Sequence, residues 1–147
     1  MDRPLRLESF LPFRLSVASN AVSERVAGAY RQRFGISIPD WRIIAILGEE
    51  AALTQRQIVD RARMDKVTVN RAVRTLVERG LIERSAHGAD QRSHRLALTD
   101  AGHALYKAVA PQALALEEAI FGGFEPWERA ALMRLLERAQ AAAMACT

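Results

Sequence analysis

The stretch LTQRQIVDRARMDKVTVNRAVRTLVERG, Leu53 to Gly80, carries two helix start signals and one stop, and together they leave few folds open. Thr54 and Gln57 have the spacing of a capping box, in which each side chain satisfies the other's backbone amide at the start of a helix. Leu53 and Ile58 sit where a hydrophobic staple packs across that start. A short helix over about Gln55 to Ala62 is expected. Asp65 offers a second cap, for a helix running to about Arg79, and Gly80 supplies its stop. Two helices joined by so short a turn form a helix-turn-helix. After Gly80, "LIERS" and "RLALT" alternate apolar with polar residues, so they read as two strands of a hairpin joined by "AHGADQRSH". A helix-turn-helix followed at once by a hairpin is the winged pattern.

The flanks read as helices. From Phe10 to Phe34, apolar residues Leu11, Leu15, Ala18, Val22, Val26 and Ala29 recur at spacings of three and four, which predicts one long helix. Pro39 suits the first turn of a second, whose Trp41, Ile43, Ile44, Ile46 and Leu47 extend nearly all round it and predict burial. Thr99 and Asp100 open a long helix to about Phe121, with Pro111 expected to kink it. Pro126 begins the last, whose apolar face is Leu132, Leu135, Leu136 and Ala139. The expected fold is mainly α with a small β-hairpin wing. A single domain, 1–147, divides into a winged helix-turn-helix DNA-binding region, 39–99, and dimerisation helices, 10–34 and 100–145.

Charge is concentrated where the motif lies. Between Thr54 and Arg95, ten Lys and Arg face five acids, a net +5, whereas the rest of the chain carries −1. A localised positive region attracts polyanions, while the same charge dispersed would mainly aid solubility. Half the residues are apolar, enough for a real core. The start of the chain, MDRPLRLESFLPFR, lacks the apolar run of a secretion signal, and no stretch is long and apolar enough for a membrane span, so a cytoplasmic protein without a membrane partner is expected. One cysteine, Cys146, rules out an internal disulfide or a Cys-x-x-Cys pair. No phosphate loop, nucleophile elbow, dinucleotide fingerprint or metal pair is present, so the chain reads as a non-enzyme without cofactor or metal.

The second helix of the motif has two distinct faces. At about 100° per residue, Val69, Ala72, Val73 and Leu76 gather on one side and must face the core. Val67, Arg71, Arg74, Thr75 and Glu78 lie opposite, with Thr68 and Asn70 at the flanks. These residue types suit the major groove: arginine can donate twice to guanine, asparagine can pair with adenine, and threonine or valine can touch a thymine methyl. Lys66, Val67, Thr68, Asn70, Arg71 and Arg74 are the candidate DNA-contacting residues of this helix. A wing beside such a helix lies over the neighbouring minor groove, whose negative potential attracts arginine. Arg92 is the candidate probe, with Asp90, two residues back, holding its guanidinium.

The run DKVTVNRAVRTLVERGLIER, then DQR, then LTDAG, resembles the multiple-antibiotic-resistance regulator (MarR) family of bacterial transcription factors. The resemblance covers nearly the whole chain. It implies an obligate homodimer with interlocked terminal helices, two winged domains reading a pseudo-palindromic operator in double-stranded DNA, and repression released by a small molecule, often an aromatic acid. Gln91 stands where a second arginine is common in the wing triplet, which weakens an expected phosphate contact.

A pocket for such a ligand is expected where the first helix and the Trp41 helix meet the winged domain. Phe13, Ser16, Val17 and Asn20 form a second face of the first helix, Trp41 is the candidate to stack on a flat ring, and Arg14 or Arg42 to neutralise a carboxylate. Two other functions fit a winged helix, a protein-interaction module and a nonspecific architectural DNA-binding protein. The first calls for a more apolar outer face than Arg71, Arg74 and Asn70 allow, and the second would not need base-reading side chains.

Overall fold

Local capping chemistry sets most element boundaries in the computed structural model, which describes residues 3–87 and 90–146, with the backbone alone from 86 to 93. A 3-10 turn over Leu7–Ser9 precedes helix α1, Leu11–Ala27. Then follow α2 (Arg31–Phe34), α3 (Ile38–Glu49), strand β1 (Leu53–Thr54), α4 (Gln55–Ala62) and α5 (Lys66–Glu78). The wing strands β2 (Ile82–His87) and β3 (Asp90–Leu98) lead into α6 (Asp100–Phe121) and α7 (Pro126–Ala145). The fold is mainly helical with a small antiparallel sheet, ordered β1-β3-β2.

Each expected cap in the middle of the chain is present. Thr54 Oγ1 accepts from the Gln57 amide at 3.2 Å while Gln57 Oε1 accepts from the Thr54 amide at 2.9 Å. Leu53 and Ile58 are both buried beside that box. Asp65 caps α5, and Gly80, at φ 72°, adopts the left-handed conformation that ends the chain's helical course at little strain. A further capping box, Ser37 with Asp40, starts α3 and accounts for the one buried carboxylate among the described residues, since Asp40 accepts from the Ser37 amide.

The first helix departs from expectation. Instead of running from Phe10 to Phe34 it ends at Ala27, turns through 28–30, and resumes as the single turn α2. Ala27, Ala29 and Tyr30 are all buried, and on a continuous helix they would point in three directions. Breaking the helix lets Tyr30 enter the core, where its ring stacks on Trp41 at 5.6 Å. The gain from burying an aromatic ring outweighs the lost helical bonds. Before the break, every residue from Leu11 to Asn20 is exposed, so the first half of the predicted stripe lies open, whereas Val22 and Val26 are half-buried and Ala29 is buried.

The wing is longer than its alternation suggests. The two strands extend inward on "AHGADQRSH" until only 88–89 separate them, with a register shift between Ala86 and His87. A third strand, β1, pairs Leu53 with Leu96 and Thr54 with Arg95, and so ties the start of α4 to the base of the wing. Ile82, Leu96 and Leu98 turn inward onto the core formed with α3 and α5.

Thr99 knots three elements together. Its hydroxyl donates to the Gly80 carbonyl at 2.6 Å and accepts from the Gly102 amide at 3.1 Å, while its own amide donates to Leu81. Gly102 is needed because a Cβ there would collide with the Leu81 carbonyl. The Leu-Thr-x-x-Gly run thus fixes the end of α5, the wing base and the start of α6 to one another. Helix α6 then continues unbroken through Pro111.

Candidate nucleic-acid interface

Helix α5 buries Val69, Ala72, Val73 and Leu76, the four residues its period assigns to the core. Its opposite side is open: Val67 is 66% exposed, Arg71, Arg74 and Glu78 are exposed, and Thr75 is half-buried with its hydroxyl on the Arg71 carbonyl. Lys66 is exposed in the first turn. The described ion pairs lie elsewhere, joining Arg31 to Glu24, Arg61 to Glu49 and Glu50, and Arg129 to Glu118. Among the described residues, Lys66, Arg71 and Arg74 join none of them. Lys66 in the first turn and Arg71 and Arg74 farther along the outer side of α5 form a positive surface for phosphates and purine edges.

Two flanking residues are already engaged within the motif. The Thr68 hydroxyl donates to Asp65 at 2.7 Å, and the Thr68 amide donates to the other carboxylate oxygen at 2.8 Å. These bonds, the hydroxyl's first, hold the Asp65 carboxyl below its ordinary pKa. Asn70 Oδ1 accepts from the Gln55 side-chain amide at 2.5 Å. The Thr68 hydroxyl therefore serves the cap, leaving its methyl group for a base contact. A cleft of about 290 Å³, lined by Ser37, Asp40, Thr68, Arg71 and Thr75, separates the start of α3 from the outer edge of α5.

Arg79, counted in the sequence only as part of the basic segment, has a structural task. Its guanidinium donates to the Phe34 and Gly35 carbonyls at 2.6 and 3.1 Å, closing the end of α2 and anchoring α5 to the chain that leads into α3. Nothing local signals this, since the partners are 44 and 45 residues away. The backbone carries Asp90 and Arg92 in β3, at and near the narrow end of the wing. The side chains of both lie outside the described residues.

A model of the MarR family matches residues 34–93, the span from the end of α2 through the helix-turn-helix and into β3. The structure of a MarR/EmrR family transcriptional regulator from Acinetobacter sp. ADP1 superposes with a TM-score of 0.87 at 27% identity, covering 97% of this chain and 100% of that one. Over residues 34–93 the chain thus carries the sequence pattern of the MarR family of transcriptional regulators, on a fold that solved MarR-family regulators share. Among curated proteins, the HTH-type transcriptional repressor NicR of Pseudomonas putida is 27% identical over 95 residues, 65% of this chain and 60% of that protein. The fold is shared by BpsR of Bordetella bronchiseptica, whose DNA binding is regulated by 6-hydroxynicotinic acid (TM-score 0.84, 23% identity, covering 94% of this chain and 98% of that one). These similar proteins are described as transcriptional regulators.

In this chain the residues considered for a ligand are not gathered into one pocket. Phe13, Arg14, Ser16 and Asn20 all lie in the exposed first half of α1, and Arg42 is exposed on α3. Trp41 is half-buried, and its ring already stacks on Tyr30 and, at 6.1 Å, on Tyr106. Gly48 makes room for that stack, because a Cβ there would sit 2.5 Å from the Tyr106 ring. Trp41 therefore helps pack α3 against α6 and the turn before α2.

Proposed function

We propose that this regulator is a homodimeric, sequence-specific repressor that grips a pseudo-palindromic operator and is released by a small aromatic acid. The observation that carries the DNA-reading part is the pairing of a fully packed inner face on α5 with an outer face bearing exposed Lys66, Arg71 and Arg74. Lys66, Val67, Thr68, Asn70, Arg71 and Arg74 are the assigned major-groove contacts, and Arg92, oriented by Asp90, the assigned minor-groove contact. The region 39–99 does the reading.

The dimer reading is supported by apolar side chains with nothing to cover them. Leu11 is 79% exposed, Leu114 64% and Trp127 70%, and Leu132, Leu135 and Leu136 of α7 are exposed as well. A soluble chain does not keep such a surface in water. Segments 10–34 and 100–145 are therefore assigned to the dimer, which sets two α5 helices about one DNA turn apart. Repression is favoured by the likeness to NicR. The ligand class is the one named for BpsR, and Phe13, Arg14, Ser16, Asn20 and Arg42 are its candidate contacts, with Trp41 forming the wall behind them.

The test is binding of purified protein to duplexes from its own promoter, against random duplex, with the mass of the complex measured. The proposal predicts one dimer per site, strong preference for promoter DNA, and release by an aromatic carboxylate. Equal affinity for random duplex would reject specific reading. A monomeric complex would reject the dimer, and a panel of aromatic acids without effect on binding or melting temperature would reject the ligand.

A further inference from the structure

We propose that Gln55 is a positioning residue for base reading: by donating its side-chain amide to Asn70, it turns the Asn70 amide nitrogen toward the duplex, so that Asn70 seeks a hydrogen-bond acceptor on the facing base. The inference rests on α5 being the reading helix.

Gln55 is the first residue of α4 and Asn70 lies in the second turn of α5, fifteen positions on, yet Gln55 Nε2 and Asn70 Oδ1 meet at 2.5 Å across the helix-turn-helix. Both residues are half-buried, so the bond is sheltered from the water that would otherwise compete for it. Its donor is held firmly. The Thr54–Gln57 capping box fixes the start of α4, and the pairing of Leu53 with Leu96 fastens the preceding strand to the wing.

A carboxamide has an acceptor end and a donor end. A freely rotating asparagine can offer either, or both together to adenine, where it accepts from N6 and donates to N7. With Oδ1 committed to Gln55, the end left for DNA is the amide nitrogen with its two N–H groups. In the major groove guanine presents two acceptors, N7 and O6, whereas cytosine presents only the N4 donor. Clamped in this way, Asn70 favours guanine and rejects cytosine, which differs from the adenine pairing its residue type alone suggests.

The experiment is selection of bound duplexes from a pool randomised across the operator, using full-length wild type, Asn70→Ala, Gln55→Ala and Gln55→Glu. Asn70→Ala identifies the position Asn70 reads, and wild type should prefer guanine there. A glutamate at 55 can only accept, so it draws the Asn70 nitrogen to itself and turns Oδ1 to the duplex. Gln55→Glu should therefore shift preference at that one position toward cytosine or adenine by roughly fivefold or more. Gln55→Ala should erase the guanine preference without reversing it and leave other positions unchanged. If the added charge prevents Gln55→Glu from binding, Gln55→Ala decides alone. Retention of the wild-type preference in the Gln55 variants, or no position altered by Asn70→Ala, would overturn the inference while leaving operator recognition intact. A wild type without any sequence preference would instead defeat the reading of α5 itself.

Discussion

The winged unit and the terminal helices draw on the same apolar residue types but use them in opposite ways. Within the winged unit, Ile43, Ile58, Val73, Leu76 and Leu96 are almost wholly removed from water by neighbours in the same chain. On α1 and α7, Leu11, Leu135 and Leu136 remain exposed despite equally regular spacing. A periodic stripe states that a face will be covered, not by which chain. The winged unit covers its own apolar face, whereas the apolar faces of α1 and α7 are left for the partner of the proposed dimer.

Charges on α7 give the sharpest way to break this contrast. Leu132→Asp with Leu135→Asp places unpaired carboxylates in the expected dimer interface, each worth about 3–5 kcal/mol, so dimer affinity should fall by more than about a hundredfold. Sedimentation should then give a monomer whose winged unit keeps its helical circular dichroism. A variant that stays dimeric would mean that these leucines face no partner.

The inner face of α5 should respond in the reverse sense. Leu76→Ala opens a cavity in the core and should lower unfolding free energy by about 2–5 kcal/mol in denaturant titration, with the protomers still associating at native conditions. Little loss of stability would contradict the self-contained core.

A smaller effect concerns the cap of α5. The Asp65 carboxyl titrates below its ordinary value because Thr68 donates to its charged form. The bonds therefore stabilise the fold at neutral pH, and that contribution fades as pH falls through the depressed value, below about pH 4. Asp65→Asn should melt below wild type near neutrality, and the gap should narrow on acidification. A gap independent of pH would remove the carboxylate's part in the cap.

Much of the reading unit was legible because capping is local. Thr54, Asp65 and Thr99 each accept an amide three residues on, so a short window announces them. The α5 faces follow from one period. What escaped the sequence depends on distant partners. The break at 28–30 arises because Tyr30 finds Trp41, strand β1 exists only because Leu96 and Arg95 lie beside it, and Arg79 closes a helix 44 residues earlier. The stacking of Trp41 on Tyr30 and Tyr106 has no local signal either, because both tyrosines come from other segments. The Gln55 bond to Asn70 was hidden for the same reason.

The most direct measurement is competition between operator and random duplex for wild type, Arg71→Ala and Arg74→Ala at one fixed salt concentration. If the exposed face of α5 reads bases, each substitution should reduce discrimination by about 1–3 kcal/mol while melting temperature stays near that of wild type. Unchanged discrimination in both variants would show that the duplex is read somewhere else.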